Sequence, residues 1–373
     1  MIRRMEWIDV RSLEEAVALL KAHGPAAVLL AGGGDLVPWL RQGEPGPSAR
    51  PPRVVVNLAS VPGLDAVAYE RGTGHRLGAM VTVALLADDR TIRERHRGIA
   101  QAAGEVGSPA VRATATLGGN LCQRPRCAYF RQRDASCLRH GGAGCPAVDG
   151  DHRYHHAILE GGACVTAHPS DLAPALIAAE ATVAVVGEAG RRTMTLERFF
   201  AAAGDDPTRD NALAPGEVLA EVHVPEPPPG TRSVFLKARM APGWDFALAS
   251  AAVSLRLRGE AVREVRIVLG GVAPRPYRAL RAEAALRGHP LSAATLRAAA
   301  EIALAPARPL RLNAYKVDLA QSLLQRALVQ AAGGAVAPGP DLLATPAPTS
   351  RCHSPKGPVR CRGCTCTRYR FTD

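Results

Sequence analysis

A chain of 373 residues is too long for one ordinary hydrophobic core, and its 47% hydrophobic against 21% charged residues is the balance of a globular protein, so two or three domains are expected. No run approaches the roughly eighteen apolar residues a membrane helix needs, and Glu6, Asp9, Glu14 and Glu15 interrupt any export signal behind the early arginines, so neither a membrane span nor a leader is expected. The formal charge of +12 is weak support for nucleic-acid binding, because only four of the 46 basic residues are lysine and the arginines are scattered rather than striped.

The first segment alternates as an α/β unit. It has a helix from Ser12 to His23, a strand at 26–31, the turn GGGD, a short helix over Leu36 to Arg41 and a strand at 53–58. A second unit follows with strand-like LDAVAYE (64–70) and HRLGAMVT (75–82), then helical TVALLADDRTI and GIAQAAGEVG. A cysteine-rich segment interrupts it. The pattern resumes with a strand ACVTAH (163–168), a helix opening at Pro169-Ser170-Asp171 and a strand TVAVVG (182–187). After the break PEPPPG (225–230), SVFLKARM, FALASAAVSLRLRG and AVREVRIVLGGV read as three antiparallel strands, followed by helices LRAEAALRG, SAATLRAAAEIALA and NAYKVDLAQSLLQRALVQAA. The expected division is 1–58, 59–228 with an insertion at about 121–165, 229–331, and a Pro-, Gly- and Arg-rich tail at 332–373 expected to lack a fold.

Two glycine-rich turns are the candidate binding elements, a tight turn with no ligand being the other reading of the first. Ala31-Gly32-Gly33-Gly34-Asp35-Leu36 stands where a strand meets a helix, so its amides can approach an anionic ligand. A Rossmann fingerprint fails there, since its third glycine falls on Val37. A second turn, Thr116-Leu117-Gly118-Gly119-Asn120, sits on the neighbouring unit, and the two together are suited to enclosing one dinucleotide. Five central cysteines, Cys122, Cys127, Cys137, Cys145 and Cys164, fit metal or redox chemistry better than a disulfide framework. Their spacings of 5, 10, 8 and 19 residues match no paired zinc knuckles, although zinc stays an alternative. Cys352, Cys361, Cys364 and Cys366 fall in the tail.

AGGGDL, ATLGGN, HPSDLAPAL, PGEVLAEVHVP, FLKAR and LGGVAPRPYRA, in that order, resemble the FAD-binding subunit of the molybdenum hydroxylases, over roughly residues 4–331. CQRPRCAYFRQ with its following cysteines resembles the aldehyde oxidoreductase branch, whose flavin subunit carries an added [4Fe-4S] cluster. The resemblance implies an α+β protein: a two-part α/β FAD-binding domain of the vanillyl-alcohol-oxidase type, then a C-terminal three-stranded antiparallel sheet with helices. It implies two partners, a large molybdenum-cofactor subunit that oxidises substrate and a small [2Fe-2S] subunit that relays electrons to FAD. No nucleic acid and no membrane are expected as partners. A cytoplasmic location is expected, or a periplasmic one if a signal-bearing partner carries the complex across.

Carried over position by position, the resemblance implies that Leu30, Ala31, Gly32, Gly33, Gly34, Asp35 and Leu36 form the pyrophosphate loop, and that Thr116, Gly118, Gly119 and Asn120 form the second loop. It implies that Asp171 accepts from a sugar hydroxyl and that Leu219 and Lys237 lie beside the isoalloxazine, with Lys237 as a point cation. The family often has Thr, Gln or Asn where Gly34 stands. A bare helix cap is the other reading of Asp171. Cys122 continues GGNL, where the family packs an apolar residue near the flavin, leaving Cys127, Cys137, Cys145 and Cys164 as the expected iron ligands, with Arg126, Arg131, Arg133 and Arg139 offsetting the cluster's charge. Two further readings stay open: a purine- or CO-type flavin subunit with structural cysteines, and a zinc-dependent basic nucleic-acid-binding protein.

Overall fold

The computed structural model describes residues 4–42, 52–132, 134–241 and 244–334. Arg133, the four terminal cysteines and all but the first three residues of the expected tail lie outside the described residues. Three sheets order the chain. The first contains β1 (Glu6–Asp9), β2 (Ala27–Leu30) and β3 (Val54–Asn57), all parallel, with β3 in the centre. Val54, Val55 and Val56 are buried without alternation, as a strand covered on both faces requires. The helix Leu13–His23 packs beside this sheet, its first turn capped by Ser12 Oγ accepting from the Glu15 amide at 3.1 Å.

The second sheet is wholly antiparallel, in the order β4 (Val67–Glu70), β5 (Gly74–Gly78), β8 (Val218–Pro225), β6 (Thr182–Gly187), β7 (Gly190–Thr195). The third joins β9 (Arg232–Ala238), β10 (Ala249–Arg258), β11 (Ala261–Gly270) and the two-residue β12 (Tyr277–Arg278). Its two faces serve different cores. Val234, Ala251, Val253 and Ile267 pack with the helices Leu280–Leu286, Ala293–Leu304 and Tyr315–Ala332, whereas Phe235, Ala252 and Val268 join the core under the second sheet.

The mixed α and β architecture is as expected, with differences in individual elements. The C-terminal sheet has four strands, because Tyr277 and Arg278 pair with Leu269 and Val268. The helix expected through TVALLADDRTI is two helices, Val83–Asp88 and Arg90–Arg95, broken where the Asp89 side chain turns back to accept from the Ile92 amide at 2.9 Å. No strand forms at 163–168. That stretch makes the isolated bridge from Thr166 to His156, and its backbone bonds go partly into the cysteine insertion, as in Ala157 N–H to Val165 O at 2.7 Å, and partly to the C-terminal part, as in His168 N–H to Ala273 O at 2.9 Å. No helix among the described residues is long and apolar enough to cross a membrane.

Candidate functional site

The two glycine turns meet. A Cβ on Gly32 would stand 1.8 Å from the Thr114 carbonyl oxygen, so the first turn lies directly against the backbone that leads into the second. Gly33 holds φ +73, in the region that favours glycine. In the second turn, a Cβ on Gly118 would stand 2.9 Å from that of Ala79, and Thr116 Oγ1 accepts from the Gly119 amide at 3.2 Å. Gly34 differs, because a methyl added there would meet nothing within 4 Å and its φ is ordinary.

Between the turns lies a cavity of about 580 Å³, within the range of cofactor sites. Its walls include residues 31–36, Thr116, Gly118, Gly119, Asn120, Asp171, Leu219 and Lys237, so of the expected flavin residues only Leu30 stands back from it. Leu30 is buried at the end of β2, beneath Gly33. Trp39, Trp244 and Phe246 also line the cavity, and no sequence pattern pointed to them, because isolated aromatics carry no periodicity.

Asp171 and Lys237 are brought together. Lys237 Nζ donates to Asp171 Oδ2 at 2.6 Å and to the Glu105 carbonyl at 3.0 Å, with the two side chains 1% and 5% exposed. Lys237, expected as a point cation, is thus one half of a buried pair. Asp171 is not a cap either, since Ser170 Oγ takes the Ala173 amide at 3.0 Å and Asp171 makes no capping bond. Its Oδ1 is buried and lacks a partner, the kind of orphan acceptor that a ligand hydroxyl satisfies. Burial pushes the carboxyl up to about 6 against the pull of Lys237. An anionic, hydroxyl-rich dinucleotide fits this cavity: amides at the turns, one free carboxylate oxygen, and apolar walls.

The insertion gathers the other thiols. Cys127, Cys137, Cys145 and Cys164 lie near enough to act on one another's ionisation, and the neighbouring Cys164 thiol holds Cys145 below the ordinary thiol range. Among the described residues no three His, Cys, Asp or Glu converge to hold a single metal ion. Cys127 and Cys137 share a small core with Phe130, Ala147 and Val165, and Cys145 packs against it. Cys122 stands apart, on the wall of the large cavity, where burial pushes its thiol up to about 12.

The arginines are less free than expected. Arg126 and Arg131 bond Asp35 at 2.8 and 2.7 Å, and Arg139 bonds Asp210 at 2.6 Å while still facing Cys137 and Cys164. Sequence reasoning also missed His156, whose Nε2 lies 3.3 Å from Cys127 Sγ.

The model of the FAD binding domain in molybdopterin dehydrogenase matches residues 3–227, and that of the CO dehydrogenase flavoprotein C-terminal domain matches residues 234–331. The chain belongs to the flavin subunits of the molybdenum hydroxylases. This flavin subunit is 32% identical over 316 residues to the aldehyde oxidoreductase FAD-binding subunit PaoB of Escherichia coli (strain K12), covering 84% of the chain and 94% of that relative. It is 30% identical to the carbon monoxide dehydrogenase medium chain of Hydrogenophaga pseudoflava, over 87% of the chain and 96% of the relative. A solved structure of carbon monoxide dehydrogenase from that organism, lacking the Mo-pyranopterin moiety of its molybdenum cofactor, superposes with a TM-score of 0.69 at 30% identity, covering 89% of this chain and 99% of that one. The subunit is therefore part of an oxidoreductase complex.

Proposed function

We propose that this flavin subunit serves an aldehyde-oxidising complex, taking electrons from a small [2Fe-2S] subunit after a large molybdenum-cofactor subunit has oxidised the substrate, and that it also holds one [4Fe-4S] cluster. The observation carrying the flavin reading is the cavity walled by both glycine turns and the Asp171–Lys237 pair. Residues 31–36 and the second turn present amides to the pyrophosphate, while Asp171 Oδ1 accepts from a sugar hydroxyl. Leu219 and Cys122 supply apolar wall, and Lys237 pairs with Asp171 and opposes the burial that raises its carboxyl. Bound FAD supplies the redox chemistry that links the iron-sulfur relay to a final acceptor.

The packing of Cys127, Cys137 and Cys145 in one small core, with Cys164 beside Cys145, supports a cluster at Cys127, Cys137, Cys145 and Cys164, and their insertion favours the aldehyde branch. A division at residues 58 and 228 is supported by the strand content, since no sheet shares a strand with another segment. The reading is tested by adding an aldehyde anaerobically to the three-subunit complex and to this chain alone. Flavin absorption bleaches in the complex and stays intact in the isolated chain. Direct bleaching of the isolated chain contradicts the relay, and bleaching of the complex by a purine or CO but by no aldehyde contradicts the substrate class.

A further inference from the structure

Asp35 belongs to the first glycine turn, yet its carboxylate is spent on the cysteine insertion. Its Oδ2 accepts the backbone N–H of Arg124 at 2.7 Å, and its Oδ1 accepts from Arg131 at 2.7 Å and Arg126 at 2.8 Å. All three donors come from one short stretch far along the chain. They are also fastened to one another: Arg131 Nε donates to the Pro125 carbonyl at 2.8 Å and Arg126 donates to Gln123 Oε1 at 3.0 Å. The three side chains are between 13% and 18% exposed, dry enough for charge-assisted bonds to count.

The same stretch carries a thiol. Arg126 precedes Cys127, which stands at the start of the short helix Ala128–Arg131, and Arg131 ends that helix. Arg124 and Arg126 also line the large cavity, so one run of chain touches the flavin turn on one side and the gathered cysteines on the other. Two guanidinium groups face one carboxylate, which leaves a surplus positive charge beside the turn that meets the pyrophosphate.

We propose, resting on the cluster reading above, that Asp35 is a clasp: a positioning residue through which the loaded cysteine insertion fixes the flavin turn and sets the protein's grip on FAD. When the centre is filled, residues 124–131 hold their three donors in place and the amides of residues 31–36 stay aimed into the cavity; when it is empty, both loosen together. Coupling of this kind is reciprocal, so FAD must also protect the iron.

The test uses the assembled complex and measures, on each preparation, the FAD dissociation constant, iron and sulfide content, and the rate of iron loss to a ferrous chelator. Asp35→Asn keeps the shape without the charge, and Arg131→Met keeps the stem without the fork. Each is expected to weaken FAD binding ~10-fold or more at wild-type iron content, and Cys145→Ser, which empties the centre, is expected to weaken it by a similar factor. Asp35→Asn combined with Cys145→Ser should be no weaker than either alone, because both open the same clasp. Stripping FAD from the wild type should speed iron loss by the same factor. Wild-type FAD affinity in both Asp35→Asn and Arg131→Met, or full additivity in the double variant, overturns the proposal. A wild type without iron overturns the cluster reading, and the Asp35 and Arg131 variants then still decide whether the insertion grips the flavin turn.

Discussion

Asp171 and Lys237 are nearly sealed from solvent, and one carboxylate oxygen is left over from their pairing. With the carboxyl lifted to about 6 by burial, its ionised form, the one proposed to accept from a sugar hydroxyl, is present above that pH and lost below it. FAD retention is therefore expected to fall as pH drops through about 6, and Asp171→Asn should weaken FAD on the order of tenfold or more at neutral pH while flattening the profile. Equilibrium flavin release measured across the mildly acidic to neutral range checks this, and an unchanged profile in the variant contradicts the assigned role. The glycines give a second contrast. Gly32→Ala would drive a methyl into the Thr114 carbonyl and should abolish FAD binding, whereas Gly34→Ala meets nothing and should keep it. Flavin content after gel filtration separates the two, and equal loss in both variants would mean that the turns are not held by this contact.

At the level of elements, the strands that were legible in the sequence are the ones with apolar runs. Val54 to Val56, TVAVVG and the long strands β10 and β11 announce themselves because burial on one or both faces dictates their residues. β1 and β7 were not legible: EWID and GRRTMT are mostly exposed edge strands whose polar residues read as loop. The stretch 163–168 misled in the opposite sense, since its buried apolar residues pack into the cysteine insertion instead of joining a sheet. The binding turns were legible as glycine patterns, but the pairing of Asp171 with Lys237 and the bonds from Asp35 to the insertion link positions 66 and 89–96 residues apart, which no local pattern encodes. The insertion makes the sharpest element-scale prediction. Serine in place of Cys127, Cys137, Cys145 or Cys164 should lose the cluster, while Cys122→Ser should keep full iron, because Cys122 faces the flavin cavity. Iron, sulfide and low-temperature EPR on the five variants decide it, and iron loss in Cys122→Ser with retention in Cys164→Ser would reverse the assignment.

The whole molecule is pinned where the insertion meets the C-terminal helices. Lys316, fully buried on the helix Tyr315–Ala332, donates to the carbonyls of His156 and Gly271 at 3.0 Å each, and Asn313 donates to the Ala157 carbonyl at 3.1 Å. Burial alone pulls the Lys316 amine down to about 7. Between that value and the ordinary lysine range the unfolded chain binds a proton that the folded chain does not, so this group makes the fold more stable as pH rises. The melting temperature of the wild type should therefore gain on that of Lys316→Met as pH rises above about 7, and parallel curves would contradict the burial argument. That one chain carries both a flavin and an iron-sulfur centre within a molybdenum hydroxylase is tested most directly by anaerobic purification of the full complex, followed by FAD, iron and sulfide counts per copy of this chain after subtracting the small subunit's own iron. One FAD with four iron and four sulfide is the predicted result; a chain without FAD, or one whose gathered cysteines hold zinc, would contradict it.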